Sequence, residues 1–250
     1  MSGGFAIAAS RHVCLARFRD NCNECSGKHG WCGFRPSHKH LALDGGTRTR
    51  KAQKYTPNLC QAIACELCFA VPHRPQSQYV LDVFAGTGGV ARACVALGRE
   101  SFIVDTTWNP AMDACSRSFL RRFNEAAGRN EIAGVMLATP CSSFSLAVSR
   151  SGKALRSLSH PRGLPIPMTA RESERVKAGN RALDASIQMI RTCNAHGIPF
   201  ALENPANRYM WADSALQAVL ARAFVARLDQ CAFKARWRKR TKIAFGNCDR

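Results

Sequence analysis

From about residue 79 onward, short apolar runs alternate with stretches whose apolar positions recur at helical spacing. The runs YVLDVF (Tyr79–Phe84), SFIVD (Ser101–Asp105), AGVMLA (Ala133–Ala138) and IPFALE (Ile198–Glu203) have the length of buried strands. Helices are predicted from the turn after Phe84 through Ala96, from about Pro110 to Ala126, and from about Arg171 to Ala195. In the last of these, Leu183, Ile187 and Ile190 fall on one face. A further helix is expected around Ala212–Ala223, and VARLDQ (Val225–Gln230) and TKIAF (Thr241–Phe245) can pair as a closing hairpin. Upstream, LCQAIACELCF (Leu59–Phe69) reads as a buried helix, with Thr56-Pro57 suited to its start. Strand–helix alternation of this kind predicts an α/β fold, a mostly parallel sheet with helices on both faces. The Ser/Arg/Pro-rich stretch from about Ser142 to Thr169 is a long loop, a feature more often functional than idle.

The pattern divides the chain in two. Residues 1–56 form an irregular, basic, Cys- and His-rich segment, and residues 57–250 carry the α/β pattern. The 13 cysteines are scattered, and Met1–Ala9 lacks the basic and apolar regions of a secretory leader, so the expected compartment is reducing and intracellular. No apolar run has membrane-spanning length. Charge changes the picture further. Lys+Arg outnumber Asp+Glu 36 to 17, a formal net charge of +19, and a surface of that sign attracts polyanions, nucleic acid first among them.

Candidate chemistry gathers at strand ends. Asp82-Val83-Phe84-Ala85-Gly86-Thr87-Gly88-Gly89 joins the first strand to a helix. Glycines there let the backbone approach a cofactor, and a helix start offers free N–H groups. Asp105 ends the second strand, where a carboxylate suits ribose hydroxyls, so the pair points to a nucleotide-like cofactor. Trp108 follows, either as a stacking face for an adenine or as a core residue. The turn lacks both the full G-x-G-x-x-G fingerprint and a Walker A lysine.

After the third strand comes Thr139-Pro140-Cys141-Ser142-Ser143-Phe144-Ser145. Cys141 is placed either as a nucleophile on a stiffened approach or as a small buried apolar residue. Glu203-Asn204-Pro205 ends the fourth strand, suited either to acid/base work or to a helix start.

In this order the motifs resemble the DNA cytosine-C5 methyltransferase family. The family's D-x-F-A-G-x-G-G is matched by Asp82–Gly89, its P-C-x-x-F-S by Pro140–Ser145, and its E-N-V is approached by Glu203-Asn204-Pro205. Its Q-x-R-x-R is echoed loosely, with Arg240 matching, Arg238 in place of the Gln and Lys242 in place of the final Arg. The resemblance covers residues 79–245 and implies a Rossmann-like class I methyltransferase fold that uses S-adenosylmethionine. Asp82, Phe84, Ala85, Gly86, Gly88, Asp105, Trp108 and Pro140 would form the cofactor site. Cys141 would attack C6 of a flipped-out cytosine, Glu203 would bind and protonate its N3, and Arg240 would hold the target strand or orient the pocket. The partner would be DNA, with the nucleus as the expected location.

Departures are equally specific. The family continues past its basic motif into a target-recognition domain and a last motif that packs beside the glycine turn, whereas this chain stops at Arg250. No Asp lies between Asp113 and Asp184, so the family's adenine-binding acid is missing. Helix Leu59–Phe69 is a candidate to replace the returning segment, and another segment or protein would supply target choice. With its Ser-rich loop and its Glu-Asn-Pro, the chain also looks like the divergent methyltransferase-like domains of mobile-element polyproteins in some protists. That likeness keeps a second function in view, an inactive nucleic-acid-binding module that retains the fold. A third, methylation of RNA or a small molecule, finds neither a second cysteine placed like Cys141 nor a Pro-Pro-Tyr or Pro-Pro-Phe motif.

Cys22, Cys25, His29 and Cys32 resemble a compressed zinc knuckle, and such a set can supply four ligands to a structural zinc. Arg236-Trp237-Arg238-Lys239 interleaves basic and aromatic residues, suited to phosphate contact and base stacking.

Overall fold

A computed structural model describes Ile63 and residues 78–144, 154–206, 209–233 and 239–248. The proposed zinc ligands, Arg236, Trp237 and Arg238, the domain boundary near residue 56 and most of the helix expected over Leu59–Phe69 lie outside the described residues.

Alternation along each strand decides how the layers form. In β1 (Tyr79–Val83), Leu81 and Val83 point to one face and Val80 and Asp82 to the other. β2 (Ser101–Val104), β3 (Ile132–Leu137) and β4 (Phe200–Pro205) join it in parallel, and β5 (Phe224–Asp229) and β6 (Arg240–Gly246) complete a six-stranded mixed sheet of order β2-β1-β3-β4-β6-β5. β6 is antiparallel to both of its neighbours, so the expected hairpin forms and its second strand slots against β4.

One sheet face, with Leu81, Val83, Val135, Leu137, Phe200 and Leu202, packs against α2 (Arg117–Gly128) and α3 (Ala170–His196). The other, with Val80, Met136, Ala201, Ile243 and Phe245, packs against α1 (Gly89–Ala96) and Ile63, which is helical and 3% exposed. Ile63 thus lies in the same apolar cluster as Val90 and Ala93 of the helix that the glycine turn opens. No helix among the described residues is long and apolar enough to cross a membrane.

Capping explains where two helices differ from expectation. α2 starts at Arg117 rather than near Pro110, because Ser116 accepts the Phe119 N–H and caps it there. The stretch before it is held in turns, with Asn109 accepting from Ala111 N–H and Asp113 from Cys115 N–H. Downstream, Asp213 caps a short α4 (Ser214–Val219), so the predicted helix starts two residues late and ends four residues early, and a 3-10 turn over Met210–Ala212 precedes it. α3 matches its prediction within two residues at each end. Thr169 and Glu172 form a reciprocal capping box, and Gly197 closes the helix at φ 62°.

Candidate active site at the carboxyl edge of the sheet

The chain leaves β1 for the edge strand β2, then returns past β1 to β3 and β4 on the opposite side. That reversal makes a switch point between the carboxyl ends of β1 and β3, the place where open α/β sheets bind ligands. The glycine turn and the Thr139-Pro140-Cys141 segment follow these two strand ends.

The glycine turn is built from below and from the side. Asp82 is buried, and its carboxylate accepts the Ala91 N–H at 2.9 Å, tying β1 to the first turn of α1. Burial pushes its carboxyl up to about 6, against the lowering effect of the Ala91 and Val90 N–H groups. Asp82 therefore shapes the turn by holding α1, a different role from direct contact with a cofactor. Phe84 sits at φ 56°, a left-handed conformation costly for an aromatic residue, and Gly86 and Gly88 follow at 53° and 69°. Ala85 closes the turn by accepting the Gly88 N–H at 2.8 Å. A side chain at Gly88 would run into Ile103, whereas the space around Gly86 is open.

Asp105 reaches across from the end of β2. Oδ2 accepts the Gly86 N–H at 2.9 Å, and Oδ1 accepts the N–H and hydroxyl of Thr107 at 2.8 and 2.7 Å. Burial works to raise this carboxyl, but the Thr107 and Gly86 donors outweigh it and hold it below the usual carboxylate range. Trp108 is 57% exposed and its Nε1 donates to Gly86 O at 2.6 Å. Of the two roles open to it from sequence, the core role is excluded. An exposed indole and an ionised carboxylate now flank an exposed glycine.

The second half of the edge is organised by Asn204. Fully buried, it donates from Nδ2 to Thr139 O at 2.6 Å, joining the end of β4 to the residue before Pro140-Cys141. The Thr139 hydroxyl in turn pairs with Ser186 of α3 at 2.7 Å. Glu203-Asn204-Pro205 continues β4 and does not start a helix. Pro140 is exposed and Cys141 half-buried with a free thiol, so Cys141 is not a fully buried apolar residue. Glu203 is mostly buried, and its Oε1 lies 3.4 Å from Lys239 Nζ. Arg240 points elsewhere, with its Nε 3.8 Å from Asp229 on the neighbouring strand.

The structure thus gathers Gly86, Asp105 and Trp108 around one strand end and links the Cys141 and Glu203 segments through Asn204. It brings Lys239, assigned from sequence to nucleic-acid contact, to Glu203, and Arg240, expected to hold the target strand or orient the pocket, to Asp229. Sequence reasoning did not single out Thr107 or Asn204 for these contacts. Asn204 lay within a named motif, but its pairing with Thr139 spans 65 residues and has no local signature. Among the described residues no His, Cys, Asp and Glu side chains form a group able to hold a metal ion. Comparison with protein-family models, curated proteins and solved structures found no match to the chain.

Proposed function

We propose that this chain is a class I methyltransferase domain of the DNA cytosine-C5 type. The observation that carries the reading is the meeting of the glycine turn with Asp105, and the tie between the segments that bear Cys141 and Glu203 through Asn204 and Thr139, at the carboxyl edge of one sheet. The residues suit S-adenosylmethionine. Asp105 is held ionised and keeps acceptor capacity for ribose hydroxyls, Trp108 offers an exposed face for an adenine, and Gly86 leaves open space beside both. When bound, that cofactor supplies an electrophilic methyl group.

The chain's own residues do the rest. Cys141, as its thiolate, adds to C6 of a cytosine taken out of its stack, and the Glu203 carboxyl donates a proton to N3. The electron pair of the C5–C6 bond then becomes nucleophilic at C5. After alkylation a base takes the C5 proton, the double bond re-forms, the Cys141 thiolate leaves and the N3 proton returns to Glu203. Asn204 holds the approach to Cys141 through Thr139. The net charge of +19 suits a DNA partner, which implies a nuclear location.

The Lys239–Glu203 contact favours a second reading, a nucleic-acid-binding module that keeps the fold without turnover. With Lys239 at its oxygen the Glu203 carboxylate already has a partner, which a cytosine edge would have to displace.

One experiment separates the two. The protein is incubated with S-adenosylmethionine and an oligonucleotide carrying 5-fluorocytosine, where fluorine at C5 blocks the final elimination. The enzyme reading expects a covalent adduct that requires the cofactor and disappears in Cys141→Ala. An oligonucleotide bound without any adduct overturns it in favour of the binding module.

A further inference from the structure

Arg156 lies in the long loop after Cys141 and is 1% exposed, although arginine is rarely buried so completely. Its guanidinium makes a four-way junction of neutral acceptors. Nη1 donates to Pro161 O at 2.6 Å and to Asn180 Oδ1 at 2.8 Å. Nη2 donates to Ser143 Oγ at 2.8 Å and to Val176 O at 3.0 Å. The same group lies 3.9 Å from the centroid of the Phe144 ring. Three pieces of chain meet there: Ser143-Phe144, the later part of the loop, and α3.

Gly179 stands between Val176 and Asn180 on the same helix. A Cβ there would run into Ser143 Oγ, with Arg156 Nη2 at 2.9 Å and the Phe144 ring at 3.3 Å. The bare helix surface is what allows the loop to lie on α3. The segment pinned in this way closes on the nucleophile, because the Phe144 N–H donates to Cys141 O at 3.0 Å. Holding Ser143 and Phe144 therefore holds the turn that carries Cys141. A planar fork of donors fixes directions that the single ammonium of lysine cannot.

We propose that Arg156 and Gly179 are positioning residues that lock the Cys141 turn onto α3 and so aim its thiol at the substrate. The proposal rests on the role of Cys141 given above, and its test has a readout that does not need turnover. Full-length Arg156→Met, Arg156→Lys and Gly179→Ala are compared with wild type. The Gly179 variant keeps the arginine and all of its acceptors. The thermal unfolding midpoint is expected to fall by several degrees in each variant while the transition stays cooperative, and S-adenosylmethionine affinity is expected to stay close to wild type. The rate of adduct formation with 5-fluorocytosine DNA is expected to fall about a hundredfold in all three, as for a misplaced reacting group. Iodoacetamide labelling of Cys141, read by peptide mass spectrometry, is expected to rise several-fold, with Cys115 and Cys231 unchanged as internal controls. Unchanged Cys141 labelling, an equal rise at Cys115 and Cys231, full activity in Arg156→Lys, or loss of fold in all three variants overturns the proposal. If the wild type forms no adduct, the cytosine reading fails by itself and the labelling still decides the positioning role.

Discussion

Replacing Asp82 by asparagine should make the protein more stable at pH 8 and leave it little changed or slightly weaker at pH 4. Asp82 is 2% exposed, and burial lifts its carboxyl from 3.8 to about 6. The folded chain then binds this proton more tightly than the unfolded chain. The stabilisation is full below about pH 3.8 and is lost as the pH rises through about 6. At about 1.4 kcal/mol per pH unit, the difference between 3.8 and about 6 amounts to about 3 kcal/mol of stability absent at pH 8. Asparagine keeps the shape and one acceptor for the Ala91 N–H, and has no charge to desolvate. The value of about 6 already includes the charge-assisted bonds from the Ala91 and Val90 N–H groups, so the gain at pH 8 approaches the full linkage figure of about 3 kcal/mol. The assay is urea unfolding of both proteins at the two pH values, with m-values compared to check that the unfolded state is unchanged. An identical stability difference at pH 4 and pH 8, or a loss at pH 8, would refute the view that desolvation outweighs the hydrogen bonds to α1.

Three further outcomes follow from contacts at the strand ends and in the core. Asn204→Ala strands the buried Thr139 carbonyl and should cost about 1–3 kcal/mol in denaturant unfolding, together with loss of the 5-fluorocytosine adduct. Gly246→Ala drives a methyl group into the ring of Phe200 between β4 and β6, and overpacking there should lower stability by about 1–3 kcal/mol in the same measurement. Trp108→Ala removes an exposed ring, so thermal stability should barely move. In that variant, S-adenosylmethionine affinity by calorimetry should fall about fivefold if the indole carries a stacking contact worth about 1 kcal/mol.

Much of the fold was legible because its signals are local. Strand runs such as Tyr79–Val83 are short and apolar, and the Leu183, Ile187 and Ile190 stripe of α3 repeats at the helical period. The α/β sheet, parallel through β4, and the closing hairpin follow from those patterns. Helix starts were less legible. Where Ser116 or Asp213 captures an N–H three residues on, one hydroxyl or carboxylate outweighs the weak helical preference of the residues before it.

The sequence by itself determined which residues stand at the strand ends: Gly86 and Asp105 beyond β1 and β2, Cys141 beyond β3 and Glu203 near the carboxyl end of β4. Those positions are set by where an apolar run stops, a one-dimensional property. Only the tertiary structure decided which of them meet. Strand order put the β1 and β3 ends side by side, and Asn204 reached Thr139 because β4 pairs with β3. Lys239 rather than Arg240 came to Glu203, although the two basic residues are adjacent in the chain. The side chains of neighbouring residues on an extended chain leave in opposite directions, so the start of β6 against β4 selects one and turns the other toward Asp229. Arg156 is the extreme case. Its two terminal nitrogens donate four hydrogen bonds to three separate stretches of chain, Nε is buried without a hydrogen-bond partner among the described residues, and only packing of the loop on α3 brings those four acceptors to the buried charge.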